Sequence, residues 1–371
     1  MRRTRRGVLA AGVTALAGCS SVSKSGTRSS ADTSETTDSM TRTDARIGFV
    51  GDVMLGRSVN DHWAGNDPGG VWGSTLERLR TLDGFVLNLE CCISERGRKW
   101  PEKTYYFRAA PDFAVPALRA ANASVATLAN NHILDFRETA LEDTRDHLTD
   151  AGVDHAGAGP DRDTAFDPAV TEIGGLTMAT IGLTDQYRPY AATGRGAGTA
   201  YVPLGRSVPG TRQLVETAIE RAFEFDPDLV VASLHWGPNW ETEPRERQKV
   251  FARWLVERGV DVVHGHSAHV LQGIEVYQGR PIIYDAGDFV DDYIHKEGYH
   301  NKRSALFELV LADGSFEELR AVPIEIEDQT ATMADEAAAT WVRETVRERS
   351  EPFGTTVERT DGGLSIPLDE G

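Results

Sequence analysis

Cysteine, lysine and long apolar runs are scarce in this chain of 371 residues, and each scarcity excludes something. The three cysteines are Cys19 and the adjacent pair Cys91 and Cys92. Neighbouring cysteines rarely have the geometry to bridge to each other, so we expect no framework of structural disulfides. Only six of the 39 basic residues are lysine, and 57 acidic residues give a formal net charge of −18. A chain this acidic is a poor partner for nucleic acid.

The N-terminal residues are typical of an export signal. The sequence TRRGVLA at 4–10 resembles a twin-arginine signal, and the apolar stretch behind it is too short to cross a bilayer. The stretch ends in LAGC at 16–19, which is similar to a lipobox with Cys19 as the lipidated residue. An ordinary signal peptide that happens to end near a cysteine is the alternative. We therefore predict an exported protein, anchored by a lipid to the outer face of the cytoplasmic membrane, with residues 1–19 as its signal peptide.

Composition divides the rest of the chain. Residues 20–44 are mostly Ser, Thr, Asp and Gly, which cannot bury enough surface to fold, so they predict a disordered tether. One folded domain is expected at 45–327, followed by a C-terminal helix and tail at 328–371. The acidic, lysine-poor and arginine-rich composition is typical of high-salt proteomes such as those of haloarchaea, and a merely acidic exported protein is the alternative.

Apolar periodicity predicts strands and helices in alternation. The predicted strands are 46–53, 85–89, 124–128, 176–183, 229–234 and 260–263, and the predicted helices are 74–82, 113–121, 138–151, 211–225, 245–258 and 334–349. After Gly265 the pattern changes to hairpins that turn at Gln278-Gly279 and Asp313-Gly314. Parallel α/β units followed by antiparallel strands indicate two packed sheets with helices outside.

Several predicted strands end in residues that bind metals. The sequence HGHSAH after the strand at 260–263 contains three histidines, and imidazole is the commonest metal ligand in proteins. The carboxyl ends of parallel strands meet at one edge of a sheet, so their terminal side chains come together there. The candidate ligands are Asp52, Glu90, Asn130, Asn131, His132, His235, His264, His266 and His269.

Each of these residues also has a purely structural interpretation. Asp52 could cap a turn, Glu90 could be a solvated strand end, Asn131 could form a turn and His235 could be a packed imidazole beside Trp236. Their joint placement at strand ends favours the metal site.

A basic and aromatic segment at 95–109 is a candidate anion-binding lip. We expect its Lys103 and Arg108 to hold carboxylates, because lysine and arginine bind them through charge-assisted hydrogen bonds. The alternative is a β-hairpin with solvated charges and with Trp100 and Phe107 in the core. Arg57 could hold an anion or pair with a surface carboxylate.

Two further acids, Asp285 and Asp288, end the sequence PIIYDAGD. They could be outer partners of the histidines, or simply surface acids of a halophile.

Five motifs together resemble the CapA family of poly-γ-glutamate capsule synthesis. They are GDVMLGR at 51–57, NLE at 88–90, ANNHILDF at 129–136, SLHWG at 233–237 and HGHSAHVLQGIEVYQGRPIIYDAGDF at 264–289. The resemblance covers roughly residues 45–325. It implies a branch of the calcineurin-like metallophosphoesterases, with a four-layer α/β/β/α sandwich and a site for one or two divalent metal ions.

The resemblance also implies a role for each site residue. Metal ligands would be Asp52, Glu90 as the bridging carboxylate, Asn131, His235, His266 and His269. His132 would donate a proton to the leaving group. Apart from the resemblance, we hypothesise that Arg57, Lys103 and Arg108 hold carboxylates of poly-γ-glutamate or a similar anionic polymer. Asp52, Glu90 and His132 would form the reacting centre, and subunits of a membrane synthase would be partners.

Two departures from the superfamily pattern leave alternatives open. Met54 stands where the phosphoesterases have a histidine, and His266 and His269 are separated by two residues instead of one. The first metal could bind weakly, take His264 instead, or be absent. Three functions remain: a metal-dependent hydrolase that acts on poly-γ-glutamate, a metal-dependent phosphoesterase, or a non-catalytic subunit that binds the polymer or an assembly partner.

Overall fold

The computed structural model describes residues 44–204 and 210–368, which form one compact unit. The predicted signal peptide, most of the tether and Cys19 lie outside the described residues. The strands are β1 Ala45–Val53, β2 Gly84–Leu89, β3 Cys92–Ile93, β4 Arg108–Ala109, β5 Ala123–Thr127, β6 Asp154–Ala156, β7 Ala158–Gly159, β8 Ala169–Ile173, β9 Leu176–Thr184, β10 Gly198–Thr199, β11 Leu229–His235, β12 Val262–His266, β13 Ile274–Tyr277, β14 Arg280–Ile283, β15 Asp288–Val290, β16 Arg303–Ala312, β17 Ser315–Glu327, β18 Thr330–Met333, β19 Glu358–Thr360 and β20 Gly363–Pro367.

The α-helices are α1 Arg57–Trp63, α2 Thr75–Leu79, α3 Pro111–Ala120, α4 Arg137–Ala151, α5 Arg162–Ala165, α6 Thr211–Phe223, α7 Glu246–Glu257 and α8 Glu336–Ser350. Short 3₁₀ turns cover Pro68–Trp72, Arg188–Tyr190 and Glu351–Phe353. In the part of the chain that the structure describes, none of these helices has both the length and the apolar character needed to cross a bilayer.

Two mixed sheets carry the fold. The larger sheet has the order β19-β20-β17-β16-β1-β2-β5-β6, with β15 on β1 and β18 on β17, and the smaller sheet has the order β13-β14-β12-β11-β9-β8. Two sets of neighbouring parallel strands are buried along nearly their whole lengths: β1, β2 and β5 in the larger sheet, and β9, β11, β12 and β14 in the smaller one. Strands of this kind are covered on both faces.

Three apolar layers show how the sheets and helices stack. One layer packs β1, β2 and β5 against α3 and α4, a second lies between the sheets, and a third packs β9, β11 and β12 against α6 and α7. Phe49 of the larger sheet and Val231 of the smaller sheet are both fully buried in the middle layer. Burial of such side chains contributes about 1.5–3 kcal/mol each. The predicted four-layer α/β/β/α sandwich is confirmed.

The C-terminal segment belongs to the same unit. The predicted helix at 334–349 is present as α8, whose Val342 and Val346 are buried in the layer between the sheets. After this helix come β19 and β20, and β20 pairs with β17 at Leu319 and Ile366. The segment therefore extends the larger sheet.

Most predicted elements are present within a few residues of their expected ends. Both predicted hairpins are confirmed, β13–β14 around Gln278-Gly279 and β16–β17 around Asp313-Gly314. The helix predicted at 74–82 is shorter, as α2. The hairpin of the alternative for 95–109 is wrong, because β3 and β4 pair in parallel. Its prediction that Phe107 lies in the core is confirmed. The intervening chain loops towards Asp135, which accepts a hydrogen bond from the Phe107 amide at 2.7 Å.

Candidate metal centre

Strand register places the carboxylates of the larger sheet side by side. Asp52 on β1 lies opposite Asn88 on β2 and opposite Asp288 on β15. Asn88 donates through its Nδ2 to the Asp52 Oδ1 at 2.7 Å. Glu90 follows the end of β2, and its amide donates to the Val53 carbonyl at 3.0 Å. The carboxyl ends of β1 and β2 thus form one wall of the site, as their sequence predicts.

The smaller sheet supplies the facing wall. His235 on β11 lies opposite His266 on β12, and their Nδ1 atoms are 3.0 Å apart. The His266 Nδ1 is 3.1 Å from the Asp52 Oδ1, and the His235 Nε2 is 2.9 Å from the Asn131 Oδ1. Ligand atoms from both sheets therefore meet across the middle layer of the sandwich.

Two groups of ligand atoms fit a metal ion, and they share one carboxylate. Asp52, His235 and His266 form the first group, and Asp52, Glu90 and His269 form the second, with the ligand atoms of each group within 4.8 Å of one another. All five residues are buried. The resemblance gives the shared position to Glu90, whereas the geometry gives it to Asp52.

Glu90 is the residue that most clearly indicates a cation site. Its side chain is fully buried, and neither of its carboxylate oxygens has a hydrogen-bond partner among the described residues. Burial, together with the negative charges of Asp52 and Asp288, raises the pKa of Glu90 well above its usual value. A buried carboxylate without a partner is costly unless a cation compensates it. A divalent ion fits this set of oxygen and imidazole ligands.

His266, next to these carboxylates, is in the protonation state that metal binding requires. Burial lowers the pKa of His266 to about 4, so its imidazole is neutral at pH 7, as ligation requires. Burial acts to raise the pKa of Asp52, but His235 and His266 outweigh it through charge and hydrogen bonding and hold this pKa well below its usual value. Asp52 is therefore ionised at neutral pH.

His269 is oriented by a second carboxylate. Its Nδ1 is 2.8 Å from the Asp288 Oδ1 and 3.4 Å from the Asp52 Oδ2. Carboxylates that hydrogen-bond a ligating histidine fix its ring and increase its basicity. Asp288 is fully buried, which excludes the interpretation as a surface acid and matches the outer-partner interpretation.

Asp285, also buried, braces the turn that carries His269. It accepts from the Ala268 amide at 2.7 Å and the Gly287 amide at 2.9 Å. Ser267 and His269 have φ angles of 109° and 58°, conformations that non-glycine residues rarely adopt. The Ser267 amide donates to the Asp52 Oδ2 at 3.1 Å. This unusual turn therefore connects the end of β12 to the Asp52 carboxylate.

His132 faces the carboxylates from the end of β5. Its Nδ1 is 2.7 Å from the Asp135 Oδ2, and its Nε2 is 3.8 Å from the Glu90 Oε1. Burial lowers the pKa of His132 to about 4. Burial acts to raise the pKa of Asp135, but the charges of His132 and Lys103 lower it overall. Nδ1 therefore donates its proton to an ionised Asp135, and Nε2 points its lone pair into the site.

Lys103 supports this arrangement from behind. Its side chain is only 9% exposed, and its ammonium donates to Asp135 and to the backbone carbonyl of Asn131. Burial lowers the pKa of Lys103 despite these partners. The structure thus places Lys103 against Asp135 instead of at an open surface where polymer carboxylates would reach it.

Arg57 and Arg108 share a polar groove beside the site. They line a cavity of about 380 Å³ together with the polar residues Asn60 and Ser94 and the acidic residues Asp61 and Glu95. The Arg57 Nε is 3.1 Å from the Asp292 Oδ2, and Arg108 stacks on Phe136 at 4.0 Å. Of the three cations predicted to bind anions, these two lie where a ligand could reach them.

The remaining candidates have structural roles. Asn130 donates to the Leu89 carbonyl at 2.8 Å and accepts from the His132 amide at 3.0 Å, so it shapes the loop after β5. His264 contacts Ser233 at 3.2 Å and lies outside both ligand groups. Met54, at the position of the absent histidine, is fully buried. Within the described residues, the two ligand groups contain His266 and His269 and not His264.

Sequence reasoning missed Asn88, Asp135 and Tyr190. Asn88 lies inside the NLE motif, and Asp135 follows His132 by three residues in HILDF, so both had a local signal. Tyr190 donates to the Asp135 Oδ1 at 2.9 Å from a distant loop, and no local pattern marks it.

Comparison with known proteins identifies the family. Residues 46–293 match the family described as bacterial capsule synthesis protein PGA_cap. The chain is 33% identical over 314 residues to a probable polyglutamine synthesis accessory protein of Mycobacterium tuberculosis, covering 80% of each chain. It is 28% identical to the PGA biosynthesis protein CapA of Bacillus subtilis, covering 86% of this chain and 82% of that one.

Two further similarities are more distant or cover less. A capsule biosynthesis protein CapA of Bacillus anthracis is 29% identical, with 76% of this chain and 67% of that one covered. A solved structure, that of TT1561 from Thermus thermophilus, superposes with a TM-score of 0.38 at 10% identity, over 73% of this chain and 100% of that one. The resemblance stated from the five motifs is confirmed by the family match and the sequence relatives. The chain belongs to the bacterial capsule synthesis protein family PGA_cap.

Proposed function

We propose that this protein acts in the synthesis, release or trimming of poly-γ-glutamate as a metal-dependent hydrolase of the γ-glutamyl amide bond. The polymer is suggested by its capsule-synthesis relatives. The observation that supports hydrolysis is the buried, unpartnered carboxylate of Glu90 between Asp52, His269 and His132. A site built only to pack would not leave both oxygens of a buried glutamate without donors.

The ligand set indicates what a metal would contribute. Asp52, His235 and His266 would hold one divalent cation, and Asp52, Glu90 and His269 would hold a second, with Asn131 beside His235. Such a cation would supply positive charge against the charge that develops on the attacked group and would make a water molecule more acidic.

His132 has the geometry to move a proton. The Nδ1–H of His132 donates to Asp135, so the free Nε2 can take a proton from water and pass it to the leaving nitrogen of the amide. The products are a carboxylic acid and an amine, and the proton balance closes. In this proposal His132 accepts a proton before it donates one, which refines the donor role that the resemblance implies.

The groove beside this centre suits an anionic substrate. Arg57 and Arg108 can bind polymer carboxylates at its mouth, whereas Lys103 positions Asp135 and Asn131 from the interior. Oriented charge of this kind binds and aligns a chain without taking part in bond cleavage.

We further propose that the protein is exported and held at the outer face of the cytoplasmic membrane by a lipid on Cys19, next to the membrane subunits that make the polymer. The motif at 16–19 supports this location. An extracytoplasmic hydrolase on a tether would reach polymer as it emerges from the membrane.

The test is a metal and substrate panel on the purified full-length protein. Metal content is measured without chelator, and poly-γ-glutamate and a set of phosphoesters are incubated with each divalent cation. We expect at least about one ion per chain and shortening of poly-γ-glutamate. His235→Ala should lose most of the metal.

Other results would point to the other two functions. Hydrolysis of phosphoesters with intact poly-γ-glutamate would assign a phosphoesterase. Binding of the polymer without cleavage under every metal would assign a non-catalytic subunit. If wild-type protein of normal stability took up no metal, the proposed metal-dependent hydrolase would be rejected.

A further inference from the structure

An aromatic wall runs over the metal centre from His132 to His269. The Phe107 ring lies 4.4 Å from the His132 ring, and the Tyr293 ring lies 4.8 Å from the His269 ring, centroid to centroid. Tyr293 is 6.0 Å from Phe107 and 6.4 Å from Trp240, so these three rings pack in a continuous row, in which Phe107 is buried and Tyr293 and Trp240 are half-buried. We call Phe107, Tyr293 and Trp240 the aromatic wall.

A cation lies over each end of the aromatic wall. At one end, the Arg57 guanidinium lies 4.9 Å from the Phe107 centroid and 5.3 Å from the Tyr105 centroid. At the other end, the Lys296 ammonium lies 4.2 Å from the Trp240 centroid. Stacking on aromatic faces holds a cation in place while leaving its N–H groups free to bind an anion.

The two cations differ in their partners. Arg57 is one-third exposed and pairs with Asp292 at 3.1 Å. Lys296 has aromatic neighbours, Trp240 and Tyr299, and no ion pair with any carboxylate in the residues that the structure describes. A lysine that lacks a counter-ion in a chain of net charge −18 is available to a ligand carboxylate.

The backbone at both ends is also unusual. Arg57 and Trp240 have φ angles of 56° and 69°. Non-glycine residues adopt such conformations rarely, and they cluster at ligand sites where surrounding contacts enforce them. The Trp240 amide is held by the Ala268 carbonyl at 2.8 Å, in the same turn that carries His269.

From this arrangement we infer that a chain of carboxylates crosses the metal centre along the aromatic wall, gripped by Arg57 on one side and Lys296 on the other. This rests on the proposed function and extends it: Lys296, Trp240 and Tyr293 become substrate-binding residues. Because the chain is held on both sides of the reacting bond, bonds inside the polymer are cut instead of terminal residues.

Binding by two ends predicts a strong preference for polymer over monomer. A chain that reaches both cations makes its second contact within the same molecule, at a high effective concentration. Free glutamate can occupy only one end at a time and gains nothing from the second. The polymer therefore binds more tightly per carboxylate than glutamate does.

The test measures binding of poly-γ-glutamate and of free glutamate to His132→Asn protein, in which the polymer stays intact. The variants are Arg57→Gln, Lys296→Gln and the double variant, each checked for an unchanged melting temperature. Lys249→Gln is the matched control, because Lys249 on α7 also stacks on a ring, Phe353 at 5.6 Å, but lies outside the wall. Arg57→Lys tests whether charge alone restores binding if Arg57→Gln destabilises the fold.

We expect each single variant to weaken polymer binding about three- to tenfold and the double variant to weaken it further, with a smaller salt dependence. Lys249→Gln should bind like the parent. With His132 intact, wild type should shorten the polymer quickly and release little glutamate.

Two results overturn the inference while leaving the proposed function standing. In the first, neither Arg57→Gln nor Lys296→Gln changes polymer binding. In the second, only one of the two variants weakens polymer binding, and wild type steadily releases free glutamate. If the parent protein binds no poly-γ-glutamate, the proposed function fails and this inference fails with it. If the protein bound polyphosphate instead of poly-γ-glutamate and both variants lost that binding, the aromatic wall and its two cations would still be a binding site, but poly-γ-glutamate would not be its ligand.

Discussion

At the scale of single residues, the buried Glu90 carboxylate is costly unless a cation compensates its charge. Its raised pKa means that the metal-free fold prefers the protonated acid. This preference contributes stability at pH values below the unfolded pKa of a glutamate, and the contribution is lost as pH rises through the folded pKa. The free energy of unfolding of the metal-free protein therefore falls as pH rises from the unfolded pKa of Glu90 towards its raised folded pKa.

Glu90→Gln removes this ionisable group. In chelator at pH 8, above the unfolded pKa of a glutamate, we expect the variant to be as stable as wild type or more stable, because the cost of burying an ionisable carboxyl group is gone. Added divalent cation should stabilise wild type, by about 2.7 kcal/mol at a hundred times its dissociation constant, and the variant much less. Thermal unfolding with and without metal measures both effects.

Glu308→Gln is the matched control for that experiment. Glu308 is equally buried but paired with Arg78 through bonds of 2.6 and 2.8 Å. Its loss should destabilise the protein with or without metal, since it leaves the arginine unpaired. If Glu90→Gln behaved in the same way, Glu90 would be a structural residue.

His132→Asn separates turnover from binding. We expect it to keep metal and polymer binding and to lower the rate of cleavage about 10²–10⁴-fold, the usual size of a general acid–base contribution. Tyr190→Phe is the milder comparison, because it removes only the hydroxyl that donates to Asp135 and leaves the His132 contact. Loss of metal from His132→Asn would instead place His132 among the ligands.

At the scale of elements, the site depends on how closely β1 approaches the chain before β15. A Cβ added at Gly51 would lie 1.8 Å from the Gly287 carbonyl oxygen, which belongs to the backbone and cannot turn aside. The Asp52 amide donates to that same oxygen at 3.1 Å. The glycine therefore allows β1 to carry Asp52 into register with Asp288.

Gly51→Ala should separate these strands. We expect the free energy of unfolding to fall by about 1–3 kcal/mol or more, the usual cost of overpacking. If the variant still folds, we expect it to bind metal much more weakly. Gly194→Ala is the control, since nothing lies within 4 Å of a Cβ at that position. Unchanged melting temperature and metal content in Gly51→Ala would contradict the role of this close backbone approach in positioning Asp52.

The element scale also shows how far sequence alone reaches. The strands that carry Asp52, Glu90, His235 and His266 were predictable, because apolar runs and their polar ends are local patterns. The pairing of both sheets at one site followed from the rule that strand ends carry ligands. These inferences needed no knowledge of distant contacts.

Contacts between distant segments were not predictable in this way. Lys103 was expected at the surface, but the Asp135 carboxylate and the Tyr187 and Tyr190 rings bury it, and these residues are remote in sequence. The aromatic wall is assembled from three separate loops, so no periodic pattern marks it. Side-chain burial of this kind depends on tertiary packing, which overrides local propensity.

At the scale of the whole chain, Cys19 is the residue on which the predicted membrane anchor depends. Cys19→Ser should release the protein from membranes into the medium and leave the described unit folded, since a lipidated cysteine would be the membrane anchor. Ser20→Ala, one residue further on, should stay bound. Cell fractionation measures both, and retention of Cys19→Ser would reject lipidation as the anchor.

Cys91 and Cys92, which directly follow Glu90, give the chain a built-in reporter. Both thiols are fully buried, and burial raises the pKa of Cys91 to about 12 and that of Cys92 well above its usual value. Reaction with a thiol reagent needs the thiolate, so it must wait until the end of β2 opens.

In a Cys19→Ser background, thiol modification therefore times the opening of the metal centre itself. We expect divalent cation to slow the modification and chelator to speed it, because bound metal joins the ends of β1 and β2 to the ends of β11 and β12. Equal rates with and without metal would mean that this edge opens independently of its ligands. The modification rate of Cys91 and Cys92, the same two residues whose adjacency argues against a disulfide framework, thus measures how often the site opens.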